Sequence, residues 1–316
     1  MGSVSLKKAA IDIGSNSTRL FIAEIKKNEI VDTIAKETVI TRLGKDVDYK
    51  SSLGKSGIKK TIGVLKNYSE IIKREKVKDV QTVATCAVRE AKNADDFISK
   101  VKHDTSLDIK VIDGGREAGL SFAGAISDPV IKKSGNTYLV MDIGGGSTEI
   151  VYGDKKKIIY SDSIKSGCVR FTEKFLKGDP PGVEQIGELR KYLDVLLKKH
   201  FNNSPLMEID KSELSAVSVA GTATSMVSIT KELSEYDPNK VHGDVLGREQ
   251  VEYLLLKLSK MKISQLKHLI GLHPDRANVI VAGVAIQAEL MEYFGLKKII
   301  VSESDMLNGI LLDGVS

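Results

Sequence analysis

The chain carries Asp12-Ile13-Gly14-Ser15-Asn16-Ser17-Thr18 near its start and Asp142-Ile143-Gly144-Gly145-Gly146-Ser147-Thr148 near its middle, with Asp, Ile, Gly, Ser and Thr at the same offsets. Each copy follows an apolar run, Ala9 to Ile11 or Tyr138 to Met141, and leads into another, Leu20 to Ile25 or Ile150 to Tyr152. That is the pattern of a strand, a tight turn and a returning strand. Small residues let the backbone of such a turn approach an anion and aim N–H groups at it, while an Asp at the strand end is placed to hold a metal ion or position a water. An ordinary Gly/Ser hairpin explains either copy alone. It does not require the repeated Asp before the turn or the Ser-Thr pair after it. The repeat therefore predicts two similar half-molecules facing each other across a cleft, with two turns clamping one phosphate chain from opposite sides.

The bulk composition agrees with that division. A chain of 316 residues is long for one core and comfortable for two domains, and 41% apolar with 28% charged residues is the balance of a folded soluble protein. No stretch approaches the apolar length of a membrane span and the N-terminus lacks the apolar core of a secretory signal, so a cytoplasmic location without membrane contact is expected. Cys86 and Cys168 are far apart and lack nearby His partners, which predicts buried thiols rather than a zinc site or a disulfide framework. Lys and Arg outnumber Asp and Glu by 47 to 42, a net charge of +5, with lysines clustered at Lys26-Lys27, Lys155-Lys156-Lys157 and Lys198-Lys199. Most of these are solvated surface, the Lys155 run at a hairpin tip, yet a mildly basic protein suits a polyanionic substrate. With no Trp, 5% aromatics and no recognition motif, the chain is not expected to bind nucleic acid. A homodimer is compatible with the sequence, which does not specify an oligomeric state.

Along the chain, strands are predicted over 8–13, 18–26 and 30–39, then a helix over 56–74 with Ile58, Ile62, Leu65 and Ile72 as its apolar stripe. A strand at 80–85 precedes a helix that opens near Asn93, whose side chain is expected to cap it. A strand at 109–112 and the Gly114-Gly115 turn lead to a helix over 117–126. After Ser127-Asp128-Pro129 the pattern restarts, with strands at 138–143, 149–153 and 157–161 and a helix near 183–200. A strand at 214–220 then runs into a small-residue turn, Gly221-Thr222-Ala223-Thr224, that opens a helix. Helical segments at 248–261, 264–269 and 276–293, a strand at 299–301 and a short helix at 307–312 complete the chain. Strands alternating with helices indicate a mixed α/β sheet in each half. The domains are drawn at 1–126 and at 127–302, the second with helical insertions, and residues 303–316 are candidates to pack back onto the first.

Phosphoryl transfer needs anion clamps, a divalent cation and a group that orients or deprotonates the attacking atom. The two turns answer the first two needs. Glu117, at the start of its helix, answers the third, although a Glu in a first turn also simply stabilises the helix dipole. Arg89, just after a strand end, either contacts phosphate or pairs with a carboxylate such as Glu90 or Asp95. His242-Gly243 either shapes a loop near the cleft or is a plain turn, Gly221-Thr222-Ala223 is readable as a close helix–strand contact, and Met226 and Met261 read as core filling.

In order along nearly the whole chain, these features resemble the exopolyphosphatase and guanosine pentaphosphate phosphohydrolase (Ppx/GppA) family, within the actin, Hsp70 and sugar-kinase superfamily. The matching residues are 12–20, Thr85 to Asn93 around Arg89, Glu117-Ala118, 142–149, Gly167, Gly221-Thr222-Ala223, His242-Gly243, Arg276, Ser302 and Gly309. The resemblance implies an α/β fold of two ribonuclease-H-like domains flanking a cleft. It further implies that Glu117 is the general base that activates water and that Asp142, with Asp12, organises Mg²⁺. Phosphate would be held by Ser15, Asn16, Arg89, Gly144, Gly145, Gly146, Ser147 and Thr148, with Gly221, Thr222 and His242 as nucleotide or cleft contacts. Family members commonly carry Arg two positions after this Glu; Gly119 stands there, and Arg116 precedes it. Longer relatives have an extra C-terminal helical domain, which this sequence is not expected to have. The activity implied is release of terminal orthophosphate from inorganic polyphosphate, with removal of the 5′-terminal phosphate of pppGpp as the alternative. A superfamily sugar or carboxylate kinase would need a nucleotide pocket and an acceptor site. A nucleotide-switched scaffold would leave Glu117 without a role.

Overall fold

The apolar run before the first repeat becomes strand β1 (Leu6–Ile13), in which every residue from Ala9 to Ile13 is buried, as befits a strand covered on both faces. The structure is a computed structural model that describes residues 5–313. β1 pairs antiparallel with β2 (Ser17–Lys26), and β2 pairs antiparallel with β3 (Glu29–Ile40). On its other side β1 runs parallel to β4 (Asp79–Ala84), and β4 runs parallel to β5 (Ile109–Val111). Helices α1 (Val47–Lys50) and α2 (Lys55–Arg74) connect β3 to β4, α3 (Cys86–Arg89) and α4 (Ala94–Thr105) connect β4 to β5, and α5 (Gly114–Ser127) follows β5.

Period-two alternation sorts the side chains of this sheet between two cores. Ala9, Ile11, Ile13, Leu20 and Ile22 pack with Leu65 and Tyr68 of α2 and Phe97 and Val101 of α4. Ala10, Phe21 and Ala23 face the opposite way and meet Leu120 of α5. Asp12 shares the parity of Ala10 and so emerges on the α5 face.

The second sheet repeats this plan. After α6 (Pro129–Lys133) come β6 (Thr137–Ile143), β7 (Thr148–Asp154) and β8 (Ile158–Ile164), then α7 (Cys168–Phe175) and α8 (Val183–Phe201). Next follow β9 (Leu214–Val219), α9 (Ala220–Thr230), α10 (Pro238–Val241), β10 (Val245–Gly247), α11 (Arg248–Ser259), α12 (Ile263–Leu266), α13 (Ile280–Tyr293) and β11 (Lys298–Val301). The strand orders are β3-β2-β1-β4-β5 and β10-β11-β9-β6-β7-β8. In each, an antiparallel three-strand meander is extended by parallel strands reached through helices, the ribonuclease-H-like connectivity; β10 adds one antiparallel edge strand to the second. The closing helix, α14 (Met306–Asp313), packs through Leu307 and Ile310 against the core that contains Leu120 of α5. Gly309 makes that approach close, because a Cβ there would overlap the Leu120 carbonyl. By contact the chain divides into two units, one running to Ser127 and including the stretch from Met306, the other Asp128–Asp305. Residues 314–316 of the expected C-terminal return lie outside the described residues. Among the described residues no helix is long and apolar enough to cross a membrane.

Several local expectations are corrected. The helix after β9 starts at Ala220, in the left-handed region at φ 65°, so the expected Gly221–Thr224 turn is its first turn. The helix expected over 276–293 starts at Ile280, preceded by a 3₁₀ turn at Pro274–Arg276. Gly114 and Gly115 are the first two residues of α5 rather than a turn before it. Asn93 precedes α4 without a side-chain cap; its amide instead exchanges two hydrogen bonds with the Leu53 backbone, at 2.8 and 3.1 Å.

One ionic cluster ties three helices of the second unit together. Arg190 of α8 donates two bonds to Glu252 of α11, both 2.9 Å, and one to Glu289 of α13, 2.9 Å. Burial raises the Glu289 carboxyl above its ordinary pKa, with Arg190 pulling the other way. Arg190→Ala should therefore leave Glu289 buried without its counter-charge and lower stability by about 1–3 kcal/mol, allowing for the partial exposure of the cluster. A urea unfolding curve with an unchanged midpoint would refute this.

Candidate active site

Both repeated segments fold into the same turn. The Gly14 N–H donates to the Ser17 carbonyl at 2.9 Å and the Gly144 N–H to the Ser147 carbonyl at 3.0 Å, with Ile13 opposite Thr18 and Ile143 opposite Thr148. The chain beyond the third strand of each meander then holds the turn from behind. In the first unit, the Ser15 carbonyl accepts from Gly44 N at 2.8 Å and the Asn16 carbonyl from Thr41 N and Arg42 N at 3.0 and 2.9 Å. In the second, the N-terminus of α7 does this work with N–H groups that have no partner inside the helix. Cys168 N donates to the Gly144 carbonyl at 3.0 Å, Val169 N and Arg170 N to that of Gly145 at 2.9 and 3.2 Å, and the Arg170 Nε to that of Gly146 at 2.8 Å.

The direction of the remaining donors follows from peptide planarity. In a trans peptide the N–H of the next residue points opposite to the carbonyl. With the carbonyls of residues 144, 145 and 146 all turned toward α7, the N–H groups of Gly145, Gly146 and Ser147 are directed away from it, and those of Asn16 and Ser17 are likewise turned from their supporting loop. Such runs of N–H groups form anion-binding concavities. The support requires glycine on the supporting side. A Cβ on Gly44 would lie 2.7 Å from Ser15 Cβ, and one on Gly167 would overlap the backbone of Gly145 and Gly146.

The Ser-Thr pair divides its labour. Thr18 and Thr148 are completely buried; the first shares a 3.0 Å hydrogen bond with the Thr41 hydroxyl, and the second donates to the Ser166 carbonyl. The Thr148 hydroxyl thus braces the turn against the following loop. Cys168 is the buried thiol expected, and burial pushes its pKa up to about 11.

The two aspartates have different neighbours. Asp12 stands opposite Arg19, which reaches Asp12 Oδ2 through Nε at 2.9 Å and Nη2 at 2.8 Å. Asp142 stands opposite Glu149, and Glu149 opposite Ser163 of β8, whose hydroxyl donates to Glu149 Oε1 at 2.7 Å. Asp142 and Glu149 are 7% and 1% exposed. Buried carboxylates directly opposite each other on a sheet repel unless a cation lies between or beside them. Glu149 follows the second repeat at the offset where the first has Arg19, and that reversal of charge between the copies was the available signal for it. Among the described residues no cluster of three or more His, Cys, Asp or Glu side chains is arranged to hold a metal.

Glu117 lies in the first turn of α5, where Asp113 accepts from Arg116 N through Oδ1 at 2.7 Å and from Glu117 N through its carbonyl at 3.0 Å. The Glu117 carboxylate is buried and receives a 3.2 Å bond from Arg89 Nη1, which also donates to the Ile112 carbonyl at 2.7 Å. The structure thus brings these two candidates together. Gly119, two residues on, projects from a different side of the helix than Glu117.

The remaining candidates are engaged internally. A Cβ on Gly221 would overlap the Arg276 guanidinium, so this glycine makes room for a side chain. Thr222 is buried where α9 meets Gly283 of α13. His242 donates from Nε2 to Asp128 Oδ1 at 3.0 Å and accepts at Nδ1 from Glu303 N at 3.2 Å, which defines its tautomer and occupies both nitrogens.

Comparison with known proteins agrees with this architecture. The sequence matches the Ppx/GppA phosphatase family over residues 10–316. It is 36% identical over 320 residues to the bifunctional 3-dehydroquinate synthase/phosphatase of Fusobacterium nucleatum, covering 98% of this chain and 46% of that protein, so the chain spans about half of that relative's length. It is 34% identical to exopolyphosphatase 2 of Mycobacterium tuberculosis, over 96% of this chain and 97% of that one. The crystal structure of the Aquifex aeolicus Ppx/GppA family member superposes with a TM-score of 0.79 at 33% identity, covering 98% and 97% of the two chains. The two meander turns with their supporting loops define an α/β phosphatase scaffold of the ribonuclease-H-like kind. The chain belongs to the Ppx/GppA phosphatase family.

Proposed function

We propose that this protein is an exopolyphosphatase that releases terminal orthophosphate from inorganic polyphosphate, with water activated by Glu117 and Mg²⁺ as cofactor. The observation that carries the reading is that each of the two turns has its carbonyls held from behind and its N–H groups thereby aimed outward. In this reading Asn16 and Ser17 in the first unit and Gly145, Gly146 and Ser147 in the second hold phosphate oxygens through the backbone. Arg89 adds a guanidinium beside the base.

The residues present fit a magnesium ion. Mg²⁺ is commonly held by one or two carboxylates together with waters and substrate phosphates rather than by a full protein cage, and the buried, cross-strand Asp142 and Glu149 supply such a pair. When bound, the ion neutralises charge on the phosphate oxygens. Asp12, engaged by Arg19, is the weaker candidate for direct ligation. The 34% identity to a protein named exopolyphosphatase 2 supports the choice of polyphosphate.

The test is to incubate the protein with long-chain polyphosphate, pppGpp and ATP separately, with Mg²⁺ and no acceptor, and to measure released phosphate. Fastest release from polyphosphate is expected. Faster release from pppGpp would transfer the assignment to guanosine pentaphosphate hydrolysis, and release only with an added sugar or carboxylate would indicate a kinase. Salt sharpens the distinction. Lys155, Lys156 and Lys157 are exposed at the β7–β8 hairpin tip, and a long polyanion can lie along such clusters while a nucleotide touches fewer. With a Debye length of about 8–10 Å near physiological salt, the apparent affinity for long polyphosphate should fall more steeply with KCl than that for pppGpp. Equal salt slopes would mark these lysines as ordinary solvated charge.

A further inference from the structure

We propose that Ser163 is a positioning residue for the cation-holding carboxylates and acts through Glu149. This rests on the reading that Asp142 and Glu149 hold Mg²⁺. β6, β7 and β8 lie side by side, and their registers set Asp142 opposite Glu149 and Glu149 opposite Ser163, so the three side chains form one row on one face of the sheet. A glutamate has three side-chain torsions, so a fixed carboxylate position depends on the groups that hold its oxygens. The half-buried Ser163 hydroxyl holds the buried Glu149 carboxylate by donating to Oε1 at 2.7 Å.

Ser163 is itself held in place. Its backbone N–H donates to Asp162 Oδ1 at 2.8 Å, and Asp162 Oδ2 meets Nδ1 of His200, from α8, at 2.8 Å. The first unit builds nothing comparable. There the corresponding row is Asp12, Arg19 and Thr38, the aspartate is already held by the arginine, and Thr38 is exposed. Groups that orient metal ligands in this way typically change metal affinity or activity by about 10- to 100-fold when removed.

The test compares wild type, Ser163→Ala and Ser163→Thr by calorimetric titration with Mg²⁺ in the presence of inorganic phosphate, alongside the Mg²⁺ dependence of phosphate release. Ser163→Ala should weaken Mg²⁺ binding about 10- to 100-fold and shift the activation curve by a like factor, with turnover recovering at saturating Mg²⁺. Ser163→Thr keeps the hydroxyl on a side chain suited to a strand and should restore both. If Ser163→Ala fails to fold, Ser163→Cys, which keeps the size with a weaker donor, should give an intermediate affinity. Wild-type Mg²⁺ affinity in the alanine or cysteine variant, or a threonine variant as weak as alanine, would overturn the proposal. A wild type that binds Mg²⁺ yet releases no phosphate would sink the proposed reaction while leaving the Ser163 comparison decisive; a wild type without Mg²⁺ affinity would overturn both.

Discussion

Glu117→Gln is expected to reduce phosphate release by about 10²- to 10⁴-fold while leaving the substrate concentration for half-maximal rate nearly unchanged, the range typical of a lost general base. The substitution is informative because Gln has nearly the same shape and its amide oxygen still accepts the 3.2 Å bond from Arg89. What disappears is the capacity to take a proton. The geometry also supplies a competing explanation, in which Glu117 serves as the buried counter-ion of Arg89 and nothing more. That role would cost stability on neutralisation, because Arg89 is only partly exposed, and would spare turnover. Measuring unfolding and steady-state rates on the same variant separates the two: intact turnover with lowered stability would remove Glu117 from the chemistry.

The parts of this molecule that were legible in the sequence are those whose signal is local and repeated. Asp-Ile-Gly followed by Ser-Thr, flanked by apolar runs, suffices to place β1–β2 and β6–β7 and the turns between them, because a buried strand and its return leave a continuous apolar trace. Elements whose partners are distant in sequence were less readable. Asn93 has the composition of a cap, but its amide is satisfied by Leu53, forty residues upstream, as the separation of 40 shows. Ser127-Asp128-Pro129 reads as the point where the pattern restarts with a strand, and Asp128 instead caps α6, its Oδ1 accepting from Val130 N at 2.8 Å. Helix α7 follows Gly167 without a side-chain cap, since its first N–H groups are spent on the carbonyls of another segment. Glu149 was visible as a letter but not as a neighbour of Asp142. Its position becomes plain only when the hairpin register is known, and the first repeat offered the opposite charge at that place.

The dependence of the second turn on α7 leads to the other large effect. Gly167→Ala should abolish most activity, by about 10²-fold or more, while most of the second unit's core remains intact. The reason is steric and not conformational: Gly167 has φ −118°, which any residue adopts, but the added methyl would overlap the backbone of Gly145 and Gly146. Either the turn moves or α7 withdraws, and in both cases the carbonyls of residues 144–146 lose the donors that aim the neighbouring N–H groups. A displacement of about 1 Å in a positioning element is enough for a loss of this order. A glycine elsewhere in the same unit provides the contrast. Gly187 lies within α8 with nothing within 4 Å of its missing Cβ, so Gly187→Ala should stabilise the protein by about 0.5–1 kcal/mol and leave turnover unchanged. Phosphate-release assays and thermal unfolding on the two variants form the test. A Gly167→Ala protein with wild-type turnover would show that the turn tolerates the shift, and the backbone N–H groups would then lose their assigned part in holding phosphate.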